Sequence, residues 1–410
     1  MLASASMPLR VHPGNPRYFQ DAQGRAVYLT GSHHWDVLVD NGERPGGFDF
    51  EGYLDRLTAW GHNFIRLWAH EAWTHEIHPR PWVREGSRFD LTRFNPKYFE
   101  RLRQRVVRAG ERGFYVAVML FNGWSIHDKG EGNPWDHHPF NRLNNVNGID
   151  GDPEARGEGS DVHTLRVPAV TRVQEAYLEK VVETVGGQDH VLWEISNESP
   201  GTSRDWQYHM IRSLRSADRG RHLIGMTACF PGNRNEDLFR SPADWVSPGN
   251  KGGWRRDPPP ADGSRIVIVD TDHLWGIGGG RDWVWKTFLR GHHTLYMDPL
   301  DGDPVREAAR RAMGDTLRFS KQIDLAACVP DPSAYALVSP REILTWLPRG
   351  RGKVDLSGIT GDLTAEWLDP ETGRTADGGR IPGGRKLRLA APWKGSAILF
   401  LQTAQGVREF

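Results

Sequence analysis

Eight apolar segments of strand length recur along the chain up to residue 299, and amphipathic segments of helix length follow most of them. The eight are AVYLTGS (26–32), NFIRLWAH (63–70), FYVAVMLF (114–121), VLWEISNE (191–198), RHLIGMTA (221–228), ADWVSPG (243–249), RIVIVDTDH (265–273) and HHTLYMDP (292–299). A repeated strand-then-helix order favours a parallel sheet with right-handed crossovers. Eight such units predict a (β/α)8 TIM barrel, an α/β fold, rather than a doubly wound sheet.

The connecting segments carry the apolar spacing and the end signals of helices. Phe50, Leu54 and Leu57 recur at helical spacing, and Gly61 ends that segment. The other predicted helices span 95–113, 171–187, 205–218, 282–291 and 305–323. GIGGG (276–280) is similar to a phosphate-binding loop, but it follows the seventh strand rather than the first, which disfavours a dinucleotide-binding fold.

The sequence changes character after residue 328. Short strand-like runs such as KVDL, LTAEWLDP and SAILFLQ alternate with turns rich in Gly, Asp and Pro. This pattern is typical of a small antiparallel β-domain. We therefore predict a barrel over residues 8–328 and a β-sandwich-like domain over residues 329–410.

Composition excludes several classes of partner. The chain has 52 basic and 52 acidic residues, so we expect neither nucleic acid nor a membrane surface as a partner. No apolar run reaches membrane-spanning length. The start, MLASASMPLR, lacks the apolar core of a secretory signal, which predicts a cytoplasmic protein, although a trimmed secreted chain would read the same way. Cys229 and Cys328 allow at most one disulfide.

Tryptophan is unusually frequent, with 17 residues. Several of them, including Trp124 and Trp275, fall at predicted strand ends or loop tips. A flat aromatic face suits a sugar ring, which offers apolar C–H groups edged by hydroxyls, and we list both residues as candidate sugar platforms. The alternative is that these side chains fill a large core.

The ends of the predicted strands carry the polar residues that chemistry would need, because catalytic side chains of a barrel stand at the C-terminal ends of its strands. These are Arg66 on the second strand, Asn197 and Glu198 on the fourth, Asp270, Asp272 and His273 on the seventh, and Tyr296 and Asp298 on the eighth. Two carboxylates facing each other across the barrel suit glycoside hydrolysis: one donates a proton to the leaving oxygen, and the other attacks the anomeric carbon or activates water. A separation of about 5 Å gives retention, and one of about 6.5–9.5 Å gives inversion.

The run LWEISNES (192–199), which ends the fourth strand on Asn197-Glu198, resembles the acid/base motif of the retaining, cellulase-like glycoside hydrolases built on (β/α)8 barrels. The resemblance implies that Glu198 is the acid/base and that Asn197 holds the sugar 2-hydroxyl. It also implies a nucleophile at the end of the seventh strand, supported by Arg66. Glu194 is expected to be a buried structural partner for an arginine.

The seventh strand departs from the family pattern, because it offers Asp270 and Asp272 where a glutamate is usual. Both aspartates lie on one face of the strand. The alignment favours Asp270 as the nucleophile, while Asp272 could serve instead or could bind sugar hydroxyls. Aspartate is one methylene shorter than glutamate, so both retention and inversion remain open.

The resemblance extends over nearly the whole chain. NPRYFQDAQGRAVYLTGSHHW at the N-terminal side, and WLDPETG with APWKGSAILFL at the C-terminal side, resemble cellulase-like bacterial proteins that join such a barrel to a small β-domain. That β-domain is labelled a collagen-binding module in those proteins. The implied function is a glycosidase that cleaves a β-linked glycoside or oligosaccharide without a cofactor.

The sequence also offers further candidate site residues and two alternative functions. His34 or His33, together with His273, is predicted to bind sugar hydroxyls, as is Tyr296; Asp298 either contacts substrate or forms a turn before Pro299. The clustered histidines raise the alternative of a metal-dependent barrel hydrolase, but no His-x-His pattern ends the first strand, so we predict no metal. A further alternative is a carbohydrate-binding protein without catalysis. There is no Gly-x-Ser-x-Gly elbow to indicate a nucleophilic serine.

Overall fold

Eight parallel strands form a single sheet that curls into a barrel in the computed structural model, which describes residues 7–40 and 46–403. The strands are β1 (Thr30–His33), β2 (Phe64–Trp68), β3 (Tyr115–Asn122), β4 (Val191–Asn197), β5 (Ile224–Thr227), β6 (Trp245–Ser247), β7 (Ile266–Asp270) and β8 (His293–Met297). Their order is β1-β8-β7-β6-β5-β4-β3-β2, and every pair is parallel. The predicted (β/α)8 fold is confirmed.

At the seam between β1 and β2, hydrogen bonds of Asn63 and the close approach allowed by Gly31 close the barrel. The Asn63 backbone N–H donates to the Thr30 carbonyl (3.1 Å), and the Asn63 amide both accepts from Thr30 N (2.9 Å) and donates to the Tyr28 carbonyl (2.9 Å). A Cβ on Gly31 would lie 1.8 Å from the Phe64 carbonyl oxygen. The two strands therefore approach closely only because position 31 carries no side chain.

Seven helices accompany the strands in the described part of the chain: α1 (Phe50–Ala59), α2 (Pro96–Glu111), α3 (Pro168–Val185), α4 (Arg204–Ala217), α5 (Asn235–Phe239), α6 (Arg281–Leu289) and α7 (Pro304–Gln322). No helix lies between β6 and β7, although residues 248–265 are all described. The side chain of Asn95 caps α2, and Pro96 follows it in the first turn. Asp303 caps α7 by accepting from two backbone N–H groups.

Side chains inside the barrel form layers, because every second residue of each strand points inward. Leu192 and Glu194 share the inward face of β4, and Ile266, Ile268 and Asp270 share that of β7. The lower, apolar side chains form one buried cluster with Phe19 and Leu29 from the N-terminal segment. Charged side chains follow above them, toward the C-terminal ends of the strands. We call that end the barrel mouth.

Two long connecting segments follow β2 and β3 at the barrel mouth. The chain after β2 forms a hairpin of strands Trp82–Glu85 and Arg88–Phe94, which the sequence patterns do not predict. The segment 123–167 contains only short turns of 3-10 helix before α3 begins. The predicted strand 26–32 is wrong in its extent, because Ala26–Val27 pairs antiparallel with Phe19–Gln20 and the barrel strand starts at Thr30.

The C-terminal strands form two sheets. They are β9 (Val329–Pro330), β10 (Ala336–Val338), β11 (Glu342–Leu347), β12 (Arg351–Asp355), β13 (Asp362–Leu368), β14 (Thr375–Pro382), β15 (Lys386–Ala390) and β16 (Ala397–Thr403). Six pair in the antiparallel order β9-β10-β11-β16-β13-β14, and β12 pairs with β15. Apolar residues of both sheets share a second core. The predicted antiparallel β-structure in this region is confirmed.

The C-terminal sheet packs against the last two helices of the barrel. The Phe319 ring on α7 meets the Phe400 ring edge-on at 6.0 Å, and the Trp285 ring at 5.9 Å. The Glu342 carboxylate accepts from the Asp324 backbone N–H at 2.7 Å. The two parts are therefore joined by apolar and polar contacts.

Two predictions from composition can be compared with the structure. Cys229 and Cys328 are both buried and unpaired, so no disulfide joins them. Within residues 7–40 and 46–403, no helix has both the length and the apolar character needed to cross a membrane. Of the segment MLASASMPLR, whose lack of an apolar core predicts no secretory signal, the first six residues lie outside the described residues.

We predict that Gly31→Ala lowers the free energy of unfolding by about 3 kcal/mol or more, because the new methyl group would overlap the Phe64 carbonyl and force the barrel seam apart. Urea unfolding monitored by tryptophan fluorescence would measure the loss. Gly187→Ala is the matched control, since a Cβ there meets nothing within 4 Å. Equal stability of the two variants would contradict this account of the seam.

Candidate active site

Arg66 on β2 is the centre of the charged layer, and its side chain is fully buried. Its guanidinium forms a two-point contact with the Glu194 carboxylate on β4: Nε donates to Oε2 at 2.8 Å, and Nη2 donates to Oε1. Nη1 donates to Asp272 Oδ2 at 3.0 Å and lies 3.4 Å from Asp270 Oδ2. Burial alone would lower the pKa of Arg66, but the attraction of these carboxylates outweighs it and raises that pKa above its ordinary value.

Asp270, the last residue of β7, is held by two donors. Its Oδ1 accepts from His33 Nε2 at 2.9 Å and from the Asp272 backbone N–H at 3.0 Å. His33 Nδ1 accepts from Trp68 Nε1 at 2.8 Å. Because an indole N–H can only donate, the proton of the neutral His33 ring must sit on Nε2. Burial would raise the pKa of Asp270, but His33 and Arg66 together hold it well below its ordinary value.

Asp272 lies two residues further toward solvent. Burial raises the pKa of its carboxyl and the charge of Asp270 adds to the rise, while Arg66 opposes both, so the pKa settles at about 6. Asp272 is 8% exposed, compared with 1% for Asp270. Of the two aspartates, Asp272 therefore has the more accessible side chain and the greater tendency to take up a proton.

Glu198 follows β4 directly and has a backbone φ of +45°, in the left-handed region. Its Oε2 accepts from Trp124 Nε1 at 2.6 Å, and its carbonyl oxygen accepts from Lys129 Nζ at 2.8 Å. Burial raises the pKa of the Glu198 carboxyl, and the negative charge of Asp272 raises it further, while Lys129, Trp124 and Arg66 lower it; the result is about 7. Two carboxyls with altered proton affinity therefore influence each other at the barrel mouth.

Asn197 links the fourth and seventh strands. Its Oδ1 accepts from Arg66 Nη2 at 2.9 Å and from His273 Nε2 at 3.1 Å. Its Nδ2 makes one long contact, 3.4 Å to Asn122 Oδ1. His273 Nδ1 lies 2.8 Å from Ser247 Oγ, so both ring nitrogens are engaged. Burial lowers the pKa of His273 to about 3, which keeps the ring neutral.

Four other predicted site residues lie away from this constellation or are engaged elsewhere. His34 is buried against the Trp35 ring, whereas its neighbour His33 faces Asp270. Tyr296 Oη donates to the Gly279 carbonyl at 3.1 Å. Trp275 packs edge-on against Trp283 at 5.4 Å. Asp298 is fully buried and bound at two points by Arg310, whose Nε donates to Oδ2 at 2.8 Å and whose Nη2 donates to Oδ1.

Sequence reasoning missed several groups at the mouth. Trp68 fixes the His33 tautomer, and Lys129 contacts the Glu198 backbone. Asn122 at the end of β3 donates from Nδ2 to His70 Nδ1 at 2.9 Å and accepts from the Trp124 backbone N–H at 3.1 Å. The rule that selects strand ends would have found Asn122, but no spacing rule places Lys129 in a long irregular segment.

Asp270, Asp272 and His273 bring possible metal-ligand atoms within 4.8 Å of one another. The donor set does not fit a cation well, because Arg66 Nη1 already places a fixed positive charge 3.0 Å from Asp272 and 3.4 Å from Asp270. Both nitrogens of His273 are also engaged in hydrogen bonds. The arrangement is suited to proton transfer and nucleophilic attack by carboxyl groups.

Comparison with known proteins gives one family-model match to part of the chain and fold matches to most of it. Residues 14–147 match the apiosidase-like catalytic domain family. This match includes β1, β2 and β3 but ends before Glu198 and the two aspartates of β7. No curated protein matches the chain.

Two solved structures match nearly the full length of the chain, and a third matches most of it. One is described as a glycoside hydrolase, with 14% identity, a TM-score of 0.66, and coverage of 97% of each chain. A glycoside hydrolase family 5 protein from Bacteroides vulgatus ATCC 8482 has 13% identity and a TM-score of 0.63, covering 98% of this chain and 95% of its own. A family 5 mannosidase from Rhizomucor miehei has 11% identity and a TM-score of 0.52, covering 78% and 100%.

These similarities confirm the predicted resemblance to cellulase-like glycoside hydrolases on a barrel. The first two matches extend beyond the barrel into the C-terminal sheets, so the arrangement of barrel and β-structure is shared. At such low identity the structural matches establish the fold.

We predict that Asp298→Ala lowers the free energy of unfolding by about 3–5 kcal/mol, because it leaves the buried Arg310 without its two-point partner. Thermal and urea unfolding would measure the loss. Glu183→Ala, which removes an exposed ion pair with Lys180, is the matched control and is expected to change stability little. An unchanged stability for Asp298→Ala would favour the alternative role of this residue in substrate contact.

Proposed function

We propose that this protein is a glycoside hydrolase that cleaves a β-linked glycoside or oligosaccharide with a pair of carboxyl groups. The observation that carries the proposal is the pairing of Glu198 and Asp272 at the barrel mouth, where each carboxyl has a raised pKa and Asp272 contributes to the rise at Glu198. Glycoside hydrolysis requires one protonated and one ionised carboxyl in a shared pocket.

Glu198 is the proton donor in this proposal. A pKa near 7 leaves a large fraction of its carboxyl protonated at neutral pH, which a general acid needs. The hydrogen bond from Trp124 fixes Oε2, so the side chain is oriented before substrate arrives. Of the three acids Glu198, Asp272 and Asp270, Glu198 is the most exposed, at 9%.

Asp272 is the ionised partner, and this assignment revises the preference for Asp270 drawn from sequence alignment. Asp270 Oδ1 already accepts two hydrogen bonds, its Oδ2 is buried beside Arg66, and only 1% of the residue is exposed. Asp272 reaches further toward the mouth, and it is the aspartate whose charge raises the Glu198 pKa. Asp270 then serves to hold His33, Arg66 and the Asp272 backbone in place.

The reaction we propose is a double displacement with retention. A carboxylate oxygen of Asp272 attacks the anomeric carbon while Glu198 donates its proton to the glycosidic oxygen, so the bond to the leaving group breaks and a glycosyl ester forms. Water then attacks the same carbon, Glu198 takes up its proton, and the ester electron pair returns to Asp272. Arg66 stabilises the Asp272 carboxylate throughout through its 3.0 Å hydrogen bond.

One feature fits a sugar beside this pair, and a cavity lies near the loop that follows it. The Asn197 amide has Nδ2 committed to only one long contact, so it can donate to a sugar hydroxyl. A cavity of about 780 Å³ opens next to the loop after Glu198, bounded by Pro200, Pro231 and the segment 156–166. Neither Glu198 nor Asp272 lines this cavity.

The domain assignment remains part of the proposal. We assign catalysis to residues 8–328 and an accessory role to residues 329–410, of which 404–410 lie outside the described residues. Carbohydrate or collagen binding by the accessory part stays a prediction, which binding of the full chain to immobilised glycan or to collagen would test.

We predict that Glu198→Gln and Asp272→Asn each lower turnover of aryl β-glycosides by about 100-fold or more, since each removes an acid or a nucleophile. Asp272→Ala should regain activity with azide and give a glycosyl azide of inverted configuration. Glu183→Gln, an exposed carboxylate, is the control. Full turnover in both active-site variants would refute the proposal, and azide rescue of Asp270→Ala instead would return the nucleophile to Asp270.

We predict a narrow, bell-shaped dependence of kcat/KM on pH. The rate should fall below about pH 6 as Asp272 becomes protonated, and above about pH 7 as Glu198 loses its proton. The two limits belong to the pair, because the carboxyls interact. With a dinitrophenyl leaving group, which departs without a proton, the alkaline fall should disappear. Persistence of that fall would contradict the role of Glu198.

A further inference from the structure

Lys129 comes from the irregular segment after β3 and reaches the backbone of Glu198. Its Nζ donates to the Glu198 carbonyl oxygen at 2.8 Å. The same ammonium group lies 5.0 Å from the centroid of the Trp124 ring and 5.0 Å from that of the Phe230 ring. Lys129 thus sits between two aromatic faces, and one of those rings donates a hydrogen bond to the Glu198 carboxylate.

The backbone of Glu198 needs such support. A φ of +45° is unusual for a residue with a side chain, and such a conformation is strained unless its surroundings fix it. A Cβ on Gly123 would lie 2.2 Å from the Glu198 carbonyl oxygen, so only glycine allows the segment to approach this peptide. Gly123, Trp124 and Lys129 together enclose Glu198 from one side.

The charge of Lys129 is not used in an ordinary ion pair. In the part of the chain that the structure describes, no carboxylate lies within 4.0 Å of its Nζ. Burial lowers the pKa of Lys129 to about 8, against the attraction of Glu198 and Asp272. Burying an ammonium group costs free energy, and here its one direct hydrogen bond goes to the peptide of the proposed acid.

We propose that Lys129 is a positioning residue for Glu198: it fixes the left-handed backbone of the acid and places a positive charge beside its carboxyl group. This inference rests on the proposed function, in which Glu198 is the proton donor. Lys129 offsets the effects of burial and of Asp272, which both favour the protonated form of Glu198. The acid can then release its proton within a single catalytic step and recover it in the next.

Several charged or titratable groups face this pair, and each enters the balance. Asp272 from the seventh strand raises the Glu198 pKa, and Arg66 from the second strand lowers it. His127 and Cys229 lie near Lys129, and burial lowers the pKa of His127 and raises that of Cys229 to about 11. Neither is charged at pH 7–8. Of the groups that lower the Glu198 pKa, Lys129 has the largest effect.

The test compares Lys129→Met, which keeps the length of the side chain without its charge, with Lys129→Arg, which keeps the charge. Lys129 lowers the Glu198 pKa, and an opposite charge within about 4–6 Å typically shifts a carboxyl pKa by roughly one unit or more. We therefore expect the alkaline limit of kcat/KM to move up by about one pH unit in Lys129→Met and to stay near the wild-type value in Lys129→Arg. An unmoved limit in folded Lys129→Met would overturn the proposal.

A second measurement does not depend on activity. Proteins labelled with 13C at the glutamate carboxyl carbons would be titrated by NMR, with the Glu198 signal assigned by its loss in Glu198→Gln. The signal should titrate at a higher pH in Lys129→Met than in wild type, and an equal midpoint would overturn the proposal. If the shift occurs while wild type cleaves no glycoside, then the positioning role stands and the proposed function fails.

Discussion

The guanidinium of Arg66 is the group around which the barrel mouth is organised. A fully buried arginine is unfavourable unless its charge and its donors are matched, and here Glu194 matches both through a two-point contact. The remaining donors extend to Asn197 and to Asp272, so one side chain on the second strand orders groups on the fourth and the seventh. The apolar layers below exclude water and thereby strengthen each of these contacts.

Three carboxyls near this arginine have different proton affinities because their partners differ. Asp270 accepts from His33 and lies beside Arg66, so it stays ionised. Asp272 has the same arginine but also the repulsion of Asp270, which raises its pKa. Glu198 is further from the arginine and is dominated by burial. The pKa values of the three carboxyls therefore differ because of their positions at the ends of β4 and β7.

Much of the fold was accessible from the sequence, because buried parallel strands are continuous apolar runs and their helices have a regular period. All eight barrel strands fall within or next to their predicted segments, as β4 at Val191–Asn197 illustrates. Two features were not accessible. The hairpin Trp82–Glu85 with Arg88–Phe94 is partly exposed and has a weak pattern. The division of 26–32 depends on pairing with Phe19–Gln20, which is a tertiary contact.

The sequence predicted only those site residues that lie on the barrel strands or directly after them. Asn197 ends β4 and Glu198 follows it, whereas Arg66 stands in the middle of β2; the structure brings Arg66 and Asn197 together with Asp272 and His273. The choice between His33 and His34 depends on which face of β1 points inward. The pairing of Asp298 with Arg310 joins residues twelve positions apart, because Arg310 lies within α7. The position of Lys129 depends on the path of an irregular segment, for which sequence offers no periodic signal.

The contact between Gly123 and the peptide of Glu198 has a consequence for transplanting this chemistry to other barrels. Glu198 has a left-handed backbone conformation, and the segment after β3 packs directly against its carbonyl group. This approach is so close that position 123 can carry no side chain. Grafting a glutamate onto the fourth strand of another scaffold would therefore copy its identity but not its orientation. The smallest transferable unit is the acid together with the connection that follows the third strand.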